Sequence, residues 1–208
     1  MRSTIMIEMD AVGGLLPCAS LRRWLMAVLL CGGLWTPVAA GPARAGEPES
    51  GTATLTAIED LGQPLFALPS LDGATHDLAQ HRGRMVLVHF FATWCEPCRP
   101  EMARLRELQF RLDGRPVAIV AVSVAEADGA VRRFFAGDPV PFSILLDRDR
   151  AVAKAWSIHT LPSTVVLDHG LKPRFIAEGD VDWAREDVMN VLADLLGEAP
   201  GSTGAAGN

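Results

Sequence analysis

Two cysteines three residues apart, Cys95 and Cys98, are the side chains in this sequence best suited to chemistry. A cysteine thiolate is both a nucleophile and a soft metal ligand, and two neighbouring cysteines can also form a disulfide. The pair therefore has three interpretations: a redox couple, part of a metal site, or a structural disulfide. A redox couple predicts that one cysteine is accessible to a partner and that the other is shielded.

The metal interpretation lacks further ligands at suitable spacing. A structural zinc site needs four ligands, usually from a second C-x-x-C or from two histidines close in sequence. The histidines of this chain are scattered singly, at His76, His81, His89, His159 and His169. A copper(I) site with two thiolates stays open as an alternative, because soft ligands suit that ion. A structural disulfide across so short a loop would add little stability. We expect no bound metal and no cofactor.

The cysteines lie where a strand pattern changes into a helix pattern. Residues 84–91 form a nearly continuous apolar run, which is typical of a strand buried on both faces. Cys98 then begins an apolar stripe that recurs at helical spacing as far as Leu112. Cys95 is thus expected at the mouth of a helix, where unpaired backbone N–H groups favour a thiolate, and Cys98 is expected to face the core. We predict that Cys95 attacks a partner and that Cys98 resolves the mixed disulfide.

The rest of the folded region predicts an α/β domain with a central mixed sheet. Residues 116–126 form a second buried strand, and short helix and strand patterns follow it. A hairpin pattern around His169 and a helix over residues 182–196 close the domain, and another hairpin pattern around Asp72 precedes the first long strand. Such alternation predicts a sheet with helices on both faces.

The N-terminal segment has the features of an export signal. Arg22 and Arg23 precede an apolar run over residues 24–40, and an A-x-A site follows. We predict a cleaved signal peptide, with an uncleaved anchor through residues 24–40 as the alternative, since this run is near the lower length limit for spanning a bilayer. The predicted divisions are a signal peptide or anchor over 1–45, a flexible linker over 46–60, a folded α/β domain over 61–197 and a disordered tail over 198–208.

Removal of the signal peptide would change both the number of cysteines and the net charge of the protein. Residues 46–208 keep Cys95 and Cys98 but not Cys18 and Cys31, and they carry 15 Lys and Arg against 23 Asp and Glu. An acidic domain of this kind is a poor partner for nucleic acid or for an anionic membrane surface. We expect a protein in the periplasm, or anchored in the membrane and facing the periplasm, where disulfides are the default state of thiols.

The stretch VLVHFFATWCEPCRPEM resembles the strand–turn–helix of thioredoxin-fold thiol–disulfide oxidoreductases, and is most similar to their exported TlpA, ResA and DsbE branch. The resemblance covers roughly residues 61–197 and implies a thioredoxin-like fold with an N-terminal β-hairpin extension. It also implies a cis-proline opposite the cysteines, which Pro162 matches. The backbone of Leu161 would then bind an extended substrate peptide, and Trp94 would provide a flat contact surface beside Cys95.

Two polar residues near the cysteines each have two interpretations. The resemblance implies proton handling by Glu101, because a partly buried carboxyl has a raised pKa and can accept a proton from the resolving thiol; the alternative is a solvated helix residue near Arg104 or Arg106. His89 stands where the family often has Asp or Asn. It could relay a proton near neutral pH, but a hydrogen-bonded core histidine is the favoured interpretation. Trp156 and Trp183 are expected to pack in the core or at its edge.

The leading functional hypothesis is a protein-disulfide reductase of the cell envelope. The resemblance implies disulfide-containing envelope proteins as substrates, such as the haem-binding cysteines of apocytochrome c or copper-site cysteines, and a membrane thiol reductase as the electron donor. A peroxiredoxin-like peroxidase is the main alternative, although the P-x-x-x-T-x-x-C pattern is missing before Cys95. A copper(I) carrier that uses both thiolates is the other alternative.

Overall fold

The computed structural model describes residues 51–59 and 65–197. The predicted signal or anchor over 1–45 and the predicted tail over 198–208 lie outside these residues. Within the described ranges, no helix combines the length and the apolar character needed to cross a membrane.

The described residues form a mixed six-stranded sheet, a separate two-stranded hairpin and four helices. The elements in chain order are β1 (Thr56–Ala57), β2 (Ala67–Pro69), β3 (Thr75–Asp77), a 3₁₀ turn (Leu78–His81), β4 (Met85–Phe91), α1 (Cys98–Arg111), β5 (Val117–Val124), α2 (Asp128–Phe135), β6 (Ser143–Asp147), α3 (Ala151–Ala155), β7 (Ser163–Leu167), β8 (Pro173–Glu178) and α4 (Glu186–Gly197). The sheet order is β1-β8-β7-β4-β5-β6. Strand β4 is parallel to β5 and β5 to β6, whereas β7, β8 and β1 are added antiparallel.

Successive side chains of the two central strands pack on opposite faces of the sheet, as the pleat of a strand requires. On one face, Val86, Val88 and Phe90 join a cluster that includes Trp156 beside α3. On the other face, Met85 and Leu87 pack with the apolar stripes of α1 and α4. Because both faces are covered, β4 and β5 are buried along their whole length. This arrangement confirms the predicted thioredoxin-like fold with a central mixed sheet and helices on both sides.

The hairpin formed by β2 and β3 is the predicted N-terminal extension. Its two strands pair with each other, with Leu68 opposite His76. Ser70 also forms an isolated antiparallel bridge with Leu145 of the edge strand β6. The backbone N–H of Leu71 donates to the carbonyl of Ile144 over 2.9 Å. The hairpin therefore continues the pairing at the edge of the main sheet.

Residues 51–59 differ from the flexible linker predicted over 46–60. Thr56 and Ala57 pair antiparallel with β8, and Thr52 forms a bridge with Val181. Gly51 is held so closely that a Cβ at that position would lie 2.4 Å from the carbonyl oxygen of Asp180. The small and polar composition favoured a linker, but the segment also alternates threonine with apolar residues, and Ala53 and Leu55 pack against the core.

Candidate active site

The two cysteines lie in the connection between β4 and α1. Strand β4 ends at Phe91, and the backbone N–H of Cys95 donates to the carbonyl of Ala92 over 3.2 Å. Helix α1 begins at Cys98, with Pro97 at the N-cap position, so Cys95 lies three residues before the helix, at its mouth as predicted. A disulfide joins Cys95 and Cys98, with an S–S distance of 2.03 Å.

The two cysteines differ in exposure in the predicted direction, although the difference is small. Cys95 is 6% exposed and Cys98 is completely buried. Both pack in one apolar cluster with Phe91 and Met102. A partner in solution can therefore approach only the sulfur of Cys95 without a rearrangement of the cluster.

The loop before β7 forms a wall beside the disulfide. The peptide bond between Leu161 and Pro162 is cis, as the family resemblance implies. Pro162 is buried, and its carbonyl accepts a hydrogen bond of 2.8 Å from the N–H of Gly179. The side chain of Leu161 packs against the cluster that contains both cysteines. Its own backbone N–H and carbonyl have no hydrogen-bond partner in the part of the chain that the structure describes, so they can pair with an extended peptide.

Glu101 is buried in the first turn of α1, one turn beyond Cys98. The indole Nε1–H of Trp183 donates to its Oε1 over 3.2 Å, and Oε2 has no hydrogen-bond partner among the described residues. Burial is the main cause that raises the pKa of Glu101 to about 8, and the nearby negative charge of Asp180 raises it further. The carboxyl is therefore mostly protonated at neutral pH. The alternative of a solvated helix glutamate is wrong, because the side chain is completely buried; Arg104 lies near enough to lower its pKa but forms its ion pair with Asp180.

His89 is a buried core residue, in agreement with the favoured interpretation. Its Nδ1 lies 2.9 Å from the hydroxyl of Thr164 on β7, and burial lowers its pKa to about 3. The imidazole is thus neutral around pH 7 and does not titrate there. Although His89 Nδ1 is 3.9 Å from Oε1 of Glu101, both groups are uncharged at neutral pH, so the contact is not an ion pair.

Trp183 has a second contact beyond the core packing that the sequence predicted for it. Its ring is buried with the apolar side chains of α1 and α4, and its N–H reaches Glu101 across 82 positions of sequence. A hydrogen bond to the charged form of a carboxyl lowers its pKa, so Trp183 opposes the effect of burial on Glu101. The loop after β8 therefore contributes both a donor, Trp183, and a negative charge, Asp180, to the surroundings of this carboxyl.

Glu126 is a residue of this site that sequence reasoning missed. Its carboxylate accepts hydrogen bonds from the backbone N–H of Thr93 over 2.9 Å, from the Thr93 hydroxyl, and from the hydroxyl of Ser123 over 2.9 Å. These bonds fix the residue two positions before Cys95 to the end of β5. The sequence did offer one indication. Glu126 stands at the end of the second buried strand, and the ends of parallel strands meet at the edge of the sheet where the cysteine turn was also expected.

An open groove of about 200 Å³ lies beside Trp94. Trp94 is 74% exposed, which agrees with the flat contact surface predicted beside Cys95. Leu161 and Ile158 line the same groove, and Leu161 also packs against the cysteine cluster. Thus the groove and the disulfide share a wall. Across the described ranges 51–59 and 65–197, no three or more His, Cys, Asp or Glu side chains are grouped to hold a metal ion.

Comparison with known proteins places this site in a family. Residues 62–172 match the model of the AhpC/TSA family. The chain is 33% identical over 132 residues to the thiol–disulfide oxidoreductase ResA of Geobacillus thermodenitrificans (strain NG80-2), covering 64% of this chain and 75% of that protein. It is 32% identical over 130 residues to ResA of Bacillus subtilis (strain 168), covering 62% and 73% of the two chains.

Solved structures agree on the fold. A structure described as a DsbE-type thiol:disulfide interchange protein from Chlorobium tepidum matches with a TM-score of 0.61 and 24% identity, covering 65% of this chain and 95% of that one. StoA from Bacillus subtilis matches with a TM-score of 0.54 and 19% identity, over 65% and 98% of the two chains. The chain therefore belongs to the AhpC/TSA family, and its cysteine pair and its relatives make it a thiol–disulfide oxidoreductase of the ResA type.

Proposed function

We propose that this protein reduces disulfide bonds in proteins of the cell envelope, with Cys95 as the attacking and Cys98 as the resolving thiol. The observation that carries the proposal is the position of the pair: Cys95 alone reaches the surface, next to the unpaired backbone of Leu161. A substrate segment that pairs with Leu161 as an added strand would present its own disulfide to Cys95. In this proposal Trp94 contacts the substrate, and Pro162 fixes the Leu161 backbone.

The reaction has two exchange steps that together move two electrons to the substrate. The Cys95 thiolate first attacks one sulfur of the substrate disulfide; an S–S bond forms to Cys95, and the other substrate sulfur leaves as a thiolate. The Cys98 thiolate then attacks the Cys95 sulfur, which expels the second substrate thiolate and leaves the Cys95–Cys98 disulfide. The two protons of the original dithiol end on the two substrate thiols.

Glu101 is proposed to take the proton that Cys98 must lose before it attacks. With a pKa of about 8, a minor fraction of the carboxyl is ionised at neutral pH, and it is this ionised form that accepts the proton and later returns it. The carboxyl lies on the same helix one turn beyond Cys98 and is shielded from solvent. Trp183 and Asp180 would tune this proton acceptor without touching the reacting sulfurs.

The charge of Glu96 favours reduction over oxidation as the direction of the reaction. A dithiol oxidises its partners strongly when its own thiolate form is stabilised. Glu96, which is exposed between the two cysteines, disfavours a second negative charge at Cys95. A positive charge beside Cys95 would act in the opposite sense to Glu96, by stabilising the thiolate. The guanidinium of Arg99 lies 4.1 Å from the centroid of the Phe134 ring, so this cation is engaged with an aromatic side chain.

We further propose that the protein works on the periplasmic side of a membrane, either released or held by residues 24–40. The predicted export signal supports this location. A reductant in an oxidising compartment must be recharged, and a membrane thiol reductase is the proposed electron donor. The proposed substrates are the cysteine pairs of apocytochrome c or of respiratory copper-site proteins.

A Cys98→Ser variant expressed in its own cell envelope tests this proposal. Without the resolving thiol, mixed disulfides between Cys95 and its substrates should accumulate, and they can be separated on non-reducing gels and identified by mass spectrometry. The double variant Cys95→Ser, Cys98→Ser is the matched control and should capture nothing. The absence of adducts with the single variant, or equal adducts with both, would contradict the proposal.

A peroxidase is the second candidate, because the matching family model carries the AhpC/TSA description. The cysteine pair argues against it: Cys95 is paired with Cys98 only three residues away, and the P-x-x-x-T-x-x-C pattern of peroxidases is missing. Consumption of hydrogen peroxide by the reduced protein, at a rate above that of the Cys95→Ser variant, would favour this candidate instead.

A further inference from the structure

We infer that the groove beside Trp94 binds the part of the substrate that flanks the target cysteine, and that it selects substrates with acidic residues at these flanking positions. This inference rests on the proposed reductase function and adds the chemical class of the substrate segment. It is carried by the charge and the rigidity of the groove, which lies next to Cys95 but does not take part in the exchange of sulfurs.

The floor of the groove is apolar and the rim is basic. Val124, Ile158 and Leu161 provide aliphatic surface, and the exposed indole of Trp94 forms one side. Arg150 and His159 line the same groove, and both are exposed. No acidic side chain lines it. This rim is unusual in a domain whose residues 46–208 carry 23 acidic against 15 basic side chains.

Arg150 is available to a ligand because its guanidinium has no partner. Several other arginines are engaged in ion pairs, namely Arg104, Arg106, Arg148, Arg174 and Arg185. In the part of the chain that the structure describes, the side chain of Arg150 makes neither an ion pair nor a hydrogen bond. A carboxylate beside it would gain a charge-assisted contact without breaking an existing one.

The walls of the groove are fixed by one buried residue. The backbone carbonyl of Asp147 accepts hydrogen bonds from the N–H of Ala125 over 2.9 Å and from the N–H of Arg150 over 3.2 Å. Its buried carboxylate accepts from the N–H groups of Val152 and Ala153 at the start of α3. Ala125 and Arg150 both have left-handed backbone conformations, with φ of 60° and 63°. Such conformations are uncommon for residues other than glycine and are found where surrounding structure holds them, often at binding sites.

The groove is adjacent to the edge where the substrate backbone is proposed to pair. Leu161 belongs to both the groove and this edge, since its side chain lines the groove and its backbone is unpaired. An extended peptide places a side chain every 3.3 Å or so along its length, on alternating sides. A residue next to the target cysteine would therefore reach the groove, where its carboxylate would lie near Arg150 and His159.

The test measures how fast the reduced, full-length protein reduces three synthetic peptides in single-turnover experiments. Each peptide has the same internal disulfide and the same apolar residues, and both cysteines are flanked on each side by Glu, Gln or Lys, so that the direction of the bound peptide does not matter. We expect the Glu peptide to react about threefold to fivefold faster than the Gln peptide, and the Lys peptide to react more slowly than both, because one exposed charge contact has an effect of this size.

The variant Arg150→Gln should remove this preference, and 0.5 M salt should weaken it in the wild type. Lys154→Gln is the matched control, because it removes the same charge one turn along α3 from a side chain that does not line the groove. This control should keep the preference of the wild type. Equal rates for the three peptides, a preference for Lys, or a preference for Glu that persists in Arg150→Gln would each overturn the inference.

A second substrate separates this inference from the proposed function. The small disulfide 4,4′-dithiodipyridine carries no carboxylate, so its reduction by the wild type reports the exchange of sulfurs without any charge preference of the groove. If this reagent is reduced but the peptides show no preference, the acidic selectivity is wrong and the reductase function stands. If the reduced protein acts on neither the reagent nor the peptides, the proposed function itself fails.

Discussion

Replacing Cys95 with serine is expected to lower the rate of disulfide reduction at least about a thousandfold, because a serine hydroxyl is not ionised and cannot act as the nucleophile. Cys98 cannot substitute for it, since its side chain is completely buried at the start of α1. The rate is measured with excess 4,4′-dithiodipyridine, which releases a coloured thione at each exchange step, on reduced protein in which Cys18 and Cys31 are replaced by serine so that Cys95 and Cys98 are its only thiols.

The Cys98→Ser variant is the informative comparison for this experiment. The wild type should release two equivalents of thione, because both exchange steps proceed. Cys98→Ser should release one equivalent at a rate close to that of the wild type and stop as a mixed disulfide on Cys95. Reaction of Cys95→Ser as fast as Cys98→Ser would contradict the assignment of the attacking and resolving thiols.

Replacing Glu101 with glutamine is expected to remove the loss of stability that the wild type should show between pH 6.5 and pH 8. The pKa of Glu101 is raised from 4.5 to about 8 in the folded protein, mainly by burial. Between these values the folded state holds a proton that the unfolded state has released, so the free energy of unfolding falls as the pH rises. The slope for one such group is about 1.4 kcal/mol per pH unit.

The titration of His89 changes the free energy of unfolding in the opposite direction, and it does so at lower pH. Burial lowers its pKa from 6.5 to about 3, so in this range the unfolded state binds a proton that the folded state does not. Its contribution to stability therefore rises with pH up to 6.5 and is constant above it. The two slopes cancel between pH 4.5 and pH 6.5, and Glu101 alone remains above that range. The wild type should thus lose about 1 to 1.5 kcal/mol between pH 6.5 and pH 8, because Glu101 is already half ionised at pH 8.

Urea unfolding at several pH values, followed by tryptophan fluorescence, measures this effect. Glu101→Gln should show a nearly constant free energy of unfolding between pH 6.5 and pH 8, because the amide keeps the size of the side chain and does not titrate. Glu107→Gln is the matched control on the exposed face of the same helix and should follow the wild type. Parallel pH profiles for the wild type and Glu101→Gln would show that Glu101 is ionised in the folded protein at neutral pH.

The strand–turn–helix that carries the cysteines could be predicted because its signals are local. The apolar run over 84–91 required a strand covered on both faces, and β4 is observed at Met85–Phe91 with every residue buried. The stripe that begins at Cys98 required a helix with one apolar face, and α1 has that face against the sheet and α4. The cis peptide bond at Pro162 was implied by family resemblance rather than by any local pattern.

The contacts around Glu101 and Thr93 could not be predicted, because each joins segments far apart in sequence. The sequence left open whether Glu101 is partly buried or solvated, and it did not indicate that the loop after β8 would cover this residue with Trp183. In the same way, nothing in the turn itself indicates that Thr93 is held by Glu126, 33 residues away. Strand β1 is a different case, because a local signal was present: residues 52–58 alternate threonine with apolar residues, most of which pack on the core, but the small and polar composition around them favoured a linker.

The central claim, that this dithiol is a reductant, is tested most directly by the equilibrium reduction potential of the Cys95–Cys98 disulfide. The potential can be measured by equilibrating the protein with a series of glutathione redox buffers at pH 7 and quantifying the two forms after alkylation. The account predicts a value below about −200 mV, towards the potential of thioredoxin at about −270 mV. A value above about −180 mV, in the range of protein disulfide isomerase and of dedicated oxidants, would contradict it.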